Sequence, residues 1–197
     1  MGIAMSKMSK VRKTAEKYFT DPVISLLAKT SVTPNTLTWI GFLISVVTAV
    51  FAAFGYMLVA GLLILFGGYF DMIDGSLARR TGKVTLFGGV LDSTLDRLSE
   101  GVLLLGLLYW FAGEGSVIGI MLVGITLLSS LVVSYIRAKA EIIKVECLEG
   151  LFTRPERVIV LAIGLLINQI EIALGIVAFF SVYTVGQRLY HVWRQLK

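Results

Sequence analysis

Six long apolar runs fill most of this 197-residue chain and limit what it can fold into. They cover about residues 35–54, 56–77, 86–111, 117–136, 158–168 and 172–187, and the fifth is expected to begin earlier, near Arg154. About 20 apolar residues in a helix cover the roughly 30 Å hydrocarbon core of a bilayer. With 56% hydrophobic and 16% charged residues, the chain cannot hide this surface in a water-soluble core. The runs predict an all-α polytopic membrane protein with six transmembrane helices.

Basic residues occur only around alternate links between the runs. Six Lys and Arg residues precede the first run, four lie around the link between the second and third, five lie between the fourth and fifth, and three follow the sixth. These account for all 18, and the three other links carry none. Because Lys and Arg concentrate on the cytoplasmic side of a membrane, both termini are predicted to be cytoplasmic.

The sequence predicts a single membrane domain over residues 1–197, since no internal repeat divides it. Its expected parts are a cytoplasmic juxtamembrane segment 1–34, six transmembrane helices within 35–188 and a cytoplasmic tail 189–197. From Met8 to Phe19, apolar residues recur at helical spacing between lysines and arginines, which predicts an amphipathic helix on the membrane surface. A second short segment begins at Asp21-Pro22. The net charge of +5 fits loops that face anionic lipid, and no nucleic-acid-binding motif accompanies it.

Four aspartates lie where the second run ends and the third begins. Asp71 and Asp74 are spaced i,i+3, and Asp92 and Asp96 are spaced i,i+4, so each pair shares one helix face. The short link between the runs makes the two helices antiparallel neighbours, and the pairs can therefore converge. Four carboxylates would repel one another unless a cation lies between them. Oxygen ligands without His or Cys suit Mg²⁺ or Mn²⁺, and such a site suits phosphoryl-type transfer.

The same stretch carries a longer pattern of fixed residues. It reads Asp71-x-x-Asp74-Gly75-x-x-Ala78-Arg79, then eight residues, then Gly88-x-x-x-Asp92-x-x-x-Asp96. This pattern resembles the signature of the CDP-alcohol phosphotransferases, and the six runs and the N-terminal basic helix resemble that family too. The resemblance implies a homodimeric membrane enzyme of phospholipid biosynthesis that uses a CDP-lipid, such as CDP-diacylglycerol or CDP-archaeol, and releases CMP.

The resemblance also implies roles for individual residues. The four aspartates would hold one or two metal ions, and Asp96 would also be the general base that deprotonates the acceptor hydroxyl. Arg79 would contact the pyrophosphate of the CDP-lipid. The nucleotide part of that lipid would be bound by Asp74, Gly75, Ala78 and Gly88.

Basic residues of the later links point to the acceptor. Several cations facing one cavity would favour an acceptor that bears a phosphate. Two strings, Ser134–Glu141 and Arg154-Pro155-Glu156-Arg157, resemble the branch of the family that includes the phosphatidylinositol-phosphate and archaetidylinositol-phosphate synthases. That branch implies inositol phosphate as acceptor. The predicted acceptor-binding residues are Arg137, Arg154, Arg157 and Arg188.

Three alternatives remain open from the sequence. Glycerol 3-phosphate could replace inositol phosphate in the same chemistry. An intramembrane prenyltransferase also binds diphosphate through aspartates, although it lacks the Gly-x-x-Ala-Arg insert. A cation transporter would need an aspartate site near the membrane midplane, whereas these aspartates lie toward the predicted cytoplasmic ends of their helices.

Overall fold

A computed structural model describes residues 21–27, 30, 32–145, 147 and 150–197, and all regular structure within them is helical. The predicted basic helix from Met8 to Phe19 lies outside these residues. The all-α class is confirmed. The helices are α1 (21–27), α2 (Pro34–Ala53), α3 (Met57–Thr81), α4 (Leu86–Gly113), α5 (Val117–Ile142), α6 (Arg154–Leu166) and α7 (Ile170–Gln195).

Helices α5 and α7 extend farthest beyond the ends of the predicted apolar runs. Helix α5 continues to Ile142 and α7 continues to Gln195, so most of the predicted tail 189–197 is helical. Both extensions contain Arg, Lys, Glu or Gln, which form helices well in water, and neither contains a proline. Helix α6, which corresponds to the fifth apolar run, begins at Arg154, where that run was expected to begin. Thr153 precedes it, and the Thr153 backbone N–H donates to Glu156 Oε2 at 2.9 Å, which caps the first turn.

By length and composition, four helices in the described part of the chain could cross a membrane: α2, α3, α5 and α7. Helix α4 is long but carries Asp92, Asp96, Arg97 and Glu100 within its first 15 residues. Helix α6 has 13 residues and covers only about 20 Å. The structure therefore describes an α-helical membrane protein in which two helices depart from the length or apolarity of an ordinary span.

The chain forms two compact units. The first comprises the described residues up to Leu43 together with Phe66–Asp96, and the second comprises Ile44–Leu65 and Arg97–Lys197. In the first unit, Ile24 of α1 packs with Leu37 of α2 and with Ile73 and Leu77 of α3. In the second unit, α5 and α6 pack against α7. Its core is built on residues such as Ala60, Leu104, Leu161 and Leu174.

Candidate active site

The first unit contains the four aspartates of the predicted metal site, and three of them interact electrostatically. The Asp74 side chain is 4% exposed, and its Oδ2 accepts a hydrogen bond from Thr38 Oγ1 of α2 at 2.8 Å. The carboxylates of Asp71 and Asp92 lie close enough to that of Asp74 to repel it. Asp92 of α4 therefore lies near the aspartate pair of α3.

Gly41 of α2 leaves room for the carboxylate of Asp71. A Cβ atom built at Gly41 would lie 2.9 Å from Asp71 Oδ1, closer than real side-chain contacts allow. It would also lie 3.7 Å from Cβ of Phe70, so α2 approaches α3 closely here. A residue with any side chain at position 41 would have to displace this carboxylate.

The ligand atoms available at this site are of the kind that bind a hard divalent cation. Only carboxylate oxygens are supplied here, by Asp71, Asp74, Asp92 and Asp96. Thr38 fixes the carboxylate of Asp74, and Gly41 leaves room for that of Asp71. The chemistry of these residues therefore fits Mg²⁺ or Mn²⁺. Among the residues that the structure describes, no three Asp, Glu, His or Cys side chains are gathered closely enough to hold a metal ion.

The residues predicted to bind the nucleotide surround these aspartates along the chain. Arg79 is exposed, its Nη2 donates to Ser76 Oγ at 3.0 Å, and its Nη1 would lie 3.4 Å from a Cβ at Gly75. Ala78 is half-buried on the same helix. Gly88 lies in the first turn of α4, where its N–H donates to Thr85 Oγ1 at 2.9 Å. A Cβ at Gly88 would lie 3.2 Å from Asn35 Oδ1.

Gly88→Ala is expected to raise the KM for CDP-lipid by roughly tenfold, since forcing a methyl group into a tight site typically costs ~1–3 kcal/mol. The methyl group must displace Thr85 or Asn35 or fill the pocket itself. Gly89→Ala is the control, because a Cβ there would meet no described atom within 4 Å. The KM is measured from CMP release at saturating acceptor. Equal values for the two variants would contradict a pocket-lining role for Gly88.

In the second unit, Arg157 is held in a buried ion pair. Its Nε donates to Glu100 Oε1 at 2.6 Å and its Nη2 to Glu100 Oε2 at 2.8 Å, and the two side chains are 2% and 6% exposed. Ser130 Oγ of α5 donates to the same Glu100 Oε1 at 2.9 Å. The bonds join α4, α5 and α6 inside this unit. Arg157 was predicted from the sequence, whereas Glu100 and Ser130 were not.

The other predicted acceptor residues have different surroundings. Arg188 is buried, donates from Nη1 to the Val133 carbonyl at 2.6 Å, and lies so close to Gly150 that a Cβ there would be 3.0 Å from its Nε. Arg154 is half-buried at the start of α6. Arg137 is exposed and pairs with Glu141 at 3.0 Å. Two of the four predicted arginines, Arg157 and Arg188, are thus buried and held in place.

Sequence reasoning missed the contribution of α2. Asn35, Thr38 and Gly41 are spaced three residues apart, so succeeding turns present them on one side of the helix. This repeat of small and polar residues at the start of an apolar run was a visible signal. The i,i+3 spacing of a Thr and a Gly is common, however, and only the contacts with Asp71 and Asp74 give it meaning.

Comparison with known proteins agrees with this geometry. Residues 31–186 match the family model described as CDP-alcohol phosphatidyltransferase. This chain belongs to the CDP-alcohol phosphatidyltransferase family. The resemblance drawn from the aspartate pattern is confirmed, and the matched range contains all four aspartates. The chain is therefore a transferase of phospholipid biosynthesis.

Relatives within the phosphatidyltransferase family are similar over most of their length. An archaetidylinositol phosphate synthase from Pyrococcus horikoshii is 36% identical over 96% of this chain and 98% of its own. The crystal structure of Mycobacterium tuberculosis phosphatidylinositol phosphate synthase with CDP-DAG bound has a TM-score of 0.83 at 34% identity, covering 88% of this chain and 93% of that one. The same enzyme in complex with manganese and citrate has a TM-score of 0.82 at 33% identity, over 88% of each chain.

Proposed function

We propose that this phosphatidyltransferase transfers a phosphatidyl-type group from a CDP-lipid to inositol phosphate and releases CMP. The observation that carries the proposal is that the carboxylates of Asp71 and Asp92 repel that of Asp74, which is buried and accepts a hydrogen bond from Thr38. Carboxylates that repel one another favour a bound cation between them. Such a cation can in turn bind the negatively charged diphosphate of a CDP-lipid. The names of the relatives support inositol phosphate as the acceptor.

The reaction balances as a simple displacement at phosphorus. The acceptor hydroxyl oxygen forms a bond to the β-phosphorus of the CDP-lipid, and the bond from that phosphorus to the oxygen bridging the two phosphates breaks. CMP leaves with the bridging oxygen. The proton of the acceptor hydroxyl passes to a carboxylate oxygen of Asp96, the proposed general base.

The aspartates have separate parts in this chemistry. Asp71, Asp74, Asp92 and Asp96 would hold one or two divalent cations, Mg²⁺ or Mn²⁺, whose charge would offset that of the diphosphate. Thr38 fixes one oxygen of Asp74 through its hydrogen bond. Gly41 leaves the space that the Asp71 carboxylate occupies. Gly75, Ala78 and Gly88 would line the nucleotide pocket, and Arg79 would bind the pyrophosphate.

The acceptor's phosphate would be bound by arginines of the second unit. Arg157 and Arg188 are buried and held by named partners, so they lose little side-chain freedom when an anion binds. Arg137 and Arg154 would add further positive charge. A guanidinium holds its N–H donors in a fixed plane, which the ammonium group of a lysine cannot reproduce.

We also infer six membrane spans, in which α4 and α6 cross the bilayer in addition to the four more apolar helices. Both termini and the active site would then face the cytoplasm, as the distribution of Lys and Arg predicts. A homodimer remains a prediction from the family, and the mass of the purified protein in detergent would test it.

Cysteine labelling tests this topology, because Cys147 is the only cysteine of the chain. In a Cys147→Ala background, a membrane-impermeant maleimide added to intact cells should label Glu114→Cys and leave Lys83→Cys unlabelled. Both positions are exposed, and they lie in successive links between helices. Lys83→Cys should react once the membrane is permeabilised. Labelling of both in intact cells would contradict the six-span arrangement.

The function itself is tested with purified protein and a panel of substrates. CMP release is measured with CDP-diacylglycerol or CDP-archaeol, with Mg²⁺, Mn²⁺ or EDTA, and with inositol phosphate or glycerol 3-phosphate. We expect release with inositol phosphate and a divalent cation, and none in EDTA. Release with glycerol 3-phosphate alone would overturn the proposed acceptor. No release with any acceptor would overturn the proposed reaction.

A further inference from the structure

The Glu100–Arg157 pair leaves one nitrogen of the Arg157 guanidinium, Nη1, without a partner among the described residues. Glu100 takes a hydrogen bond from Nε and another from Nη2. The remaining nitrogen, Nη1, is buried and has no hydrogen-bond partner among the described residues. A buried guanidinium nitrogen is costly to leave unpaired, so such an atom needs an explanation. Water, a structural anion or a substrate would each satisfy it.

Several contacts fix where this nitrogen points. Arg157 lies in the first turn of α6, whose start is set by Thr153 and Glu156. The two-point contact with Glu100 fixes the guanidinium plane, because both carboxylate oxygens are used. Ser130 then holds the Glu100 carboxylate from a third helix. The guanidinium cannot rotate about Nε without breaking at least one of these bonds.

We infer that Glu100 and Ser130 are positioning residues that hold Arg157 so that Nη1 donates to the phosphate of the acceptor. The inference rests on the proposed function, in which the acceptor bears a phosphate. Glu100 offsets one unit of positive charge, so Arg157 contributes to acceptor binding mainly through a directed hydrogen bond rather than through net charge. Neither positioning residue touches the acceptor.

Ser130→Ala is the first test, since it keeps the ion pair intact and removes a single hydrogen bond. Its KM for inositol phosphate should rise roughly 3–10-fold, because Ser130 acts through Arg157 and only part of the loss of its hydrogen bond reaches the acceptor, with the KM for CDP-lipid changed less than about twofold. Ser129→Ala is the matched control. Both serines are 5% exposed, but the Ser129 hydroxyl donates to the Ile125 carbonyl of its own helix. Equal KM values for the two variants would overturn the inference.

Two further variants separate positioning from general stability. Glu100→Gln should raise the acceptor KM more than Ser130→Ala does, because an amide cannot accept both bonds from Arg157. Arg157→Lys keeps the charge but not the two-point contact, and it should raise the acceptor KM at least tenfold, the order expected for a buried charged pair that loses its geometry. A wild-type acceptor KM in Arg157→Lys would overturn the inference. So would a rise in donor KM equal to the rise in acceptor KM.

A binding measurement keeps this result independent of turnover. The shift in Tm that inositol phosphate produces should be smaller in Ser130→Ala than in Ser129→Ala. If the wild-type protein uses glycerol 3-phosphate instead, the proposed acceptor fails, and the same comparison is made with that acceptor because the inference concerns the phosphate. If it releases no CMP at all, inorganic phosphate is the probe. Equal Tm shifts in the two serine variants then overturn the inference separately.

Discussion

Asp96→Asn is expected to reduce CMP release by roughly 10²–10⁴-fold, the range over which a positioned general base contributes. The amide has nearly the shape of the carboxylate but cannot take the proton of the acceptor hydroxyl. CDP-lipid should still bind, because Asp71, Asp74 and Asp92 remain to hold a cation. Turnover is measured by CMP release, and binding by the rise in Tm on adding CDP-diacylglycerol.

Asp21→Asn is a suitable control for this substitution. Asp21 is another aspartate of the first unit, and it pairs with Arg80 at 3.4 Å with nearly half its side chain exposed. An exposed pair of this kind contributes about 0–1 kcal/mol to stability, so activity should stay within about twofold of wild type. If Asp96→Asn loses CDP-lipid binding together with turnover, Asp96 serves chiefly as a metal ligand and the base lies elsewhere.

Gly41→Ala is expected to weaken metal binding about as strongly as many direct changes at a metal site. The added methyl group would lie 2.9 Å from Asp71 Oδ1, so this carboxylate must move. Changes in the groups that orient metal ligands typically cost 10–100-fold in metal affinity or activity. We expect the Mn²⁺ concentration for half-maximal CMP release to rise by about this factor.

Gly68→Ala provides the comparison for this experiment. Gly68 also lies inside a helix of the first unit, but a Cβ there would meet no described atom within 4 Å. Both substitutions raise helix propensity by about 1 kcal/mol, so any difference between them comes from the contact with Asp71. A wild-type requirement for Mn²⁺ in Gly41→Ala would count against Asp71 as a ligand.

The sequence predicted the parts of the site that follow from spacing along one helix. Asp71 with Asp74, and Asp92 with Asp96, share helix faces because of the helical period, and the short link made their helices neighbours. The helix order and most helix ends followed from the apolar runs. The helical continuation of α7 to Gln195 did not, because an apolar run marks where lipid contact ends and not where the helix ends.

Contacts between distant helices were beyond the reach of one sequence. Thr38 and Asp74 are 36 residues apart, and Glu100 and Arg157 are 57 apart. Nothing in the spacing of either pair distinguishes it from many other pairs. Glu100 in particular is one more charged residue near the middle of α4, and only the packing of α4, α5 and α6 pairs it with an arginine.

The charges on α4 also bear on how the chain enters the membrane during synthesis. In the proposed six-span arrangement, α4 would have to insert with Asp92, Asp96, Arg97 and Glu100 on it. Insertion of a single charged residue at a helix centre costs about 2.5–3.5 kcal/mol, and less near the ends. Helix α4 alone is therefore a poor candidate for independent insertion by the translocon.

The buried partner of Glu100 is synthesised much later in the chain. Arg157 leaves the ribosome 57 residues after Glu100, so the charge of the Glu100 carboxylate is offset only after α5 has been synthesised. Helix α6 has the matching difficulty, because it is short and carries that buried arginine. Glu100 of α4 and Arg157 of α6 offset each other's charge, so each helix is easier to accommodate in lipid when the other is present. Their assembly is then expected to be cooperative, with α4 and α6 settling in the bilayer as a pair after α5 has been made.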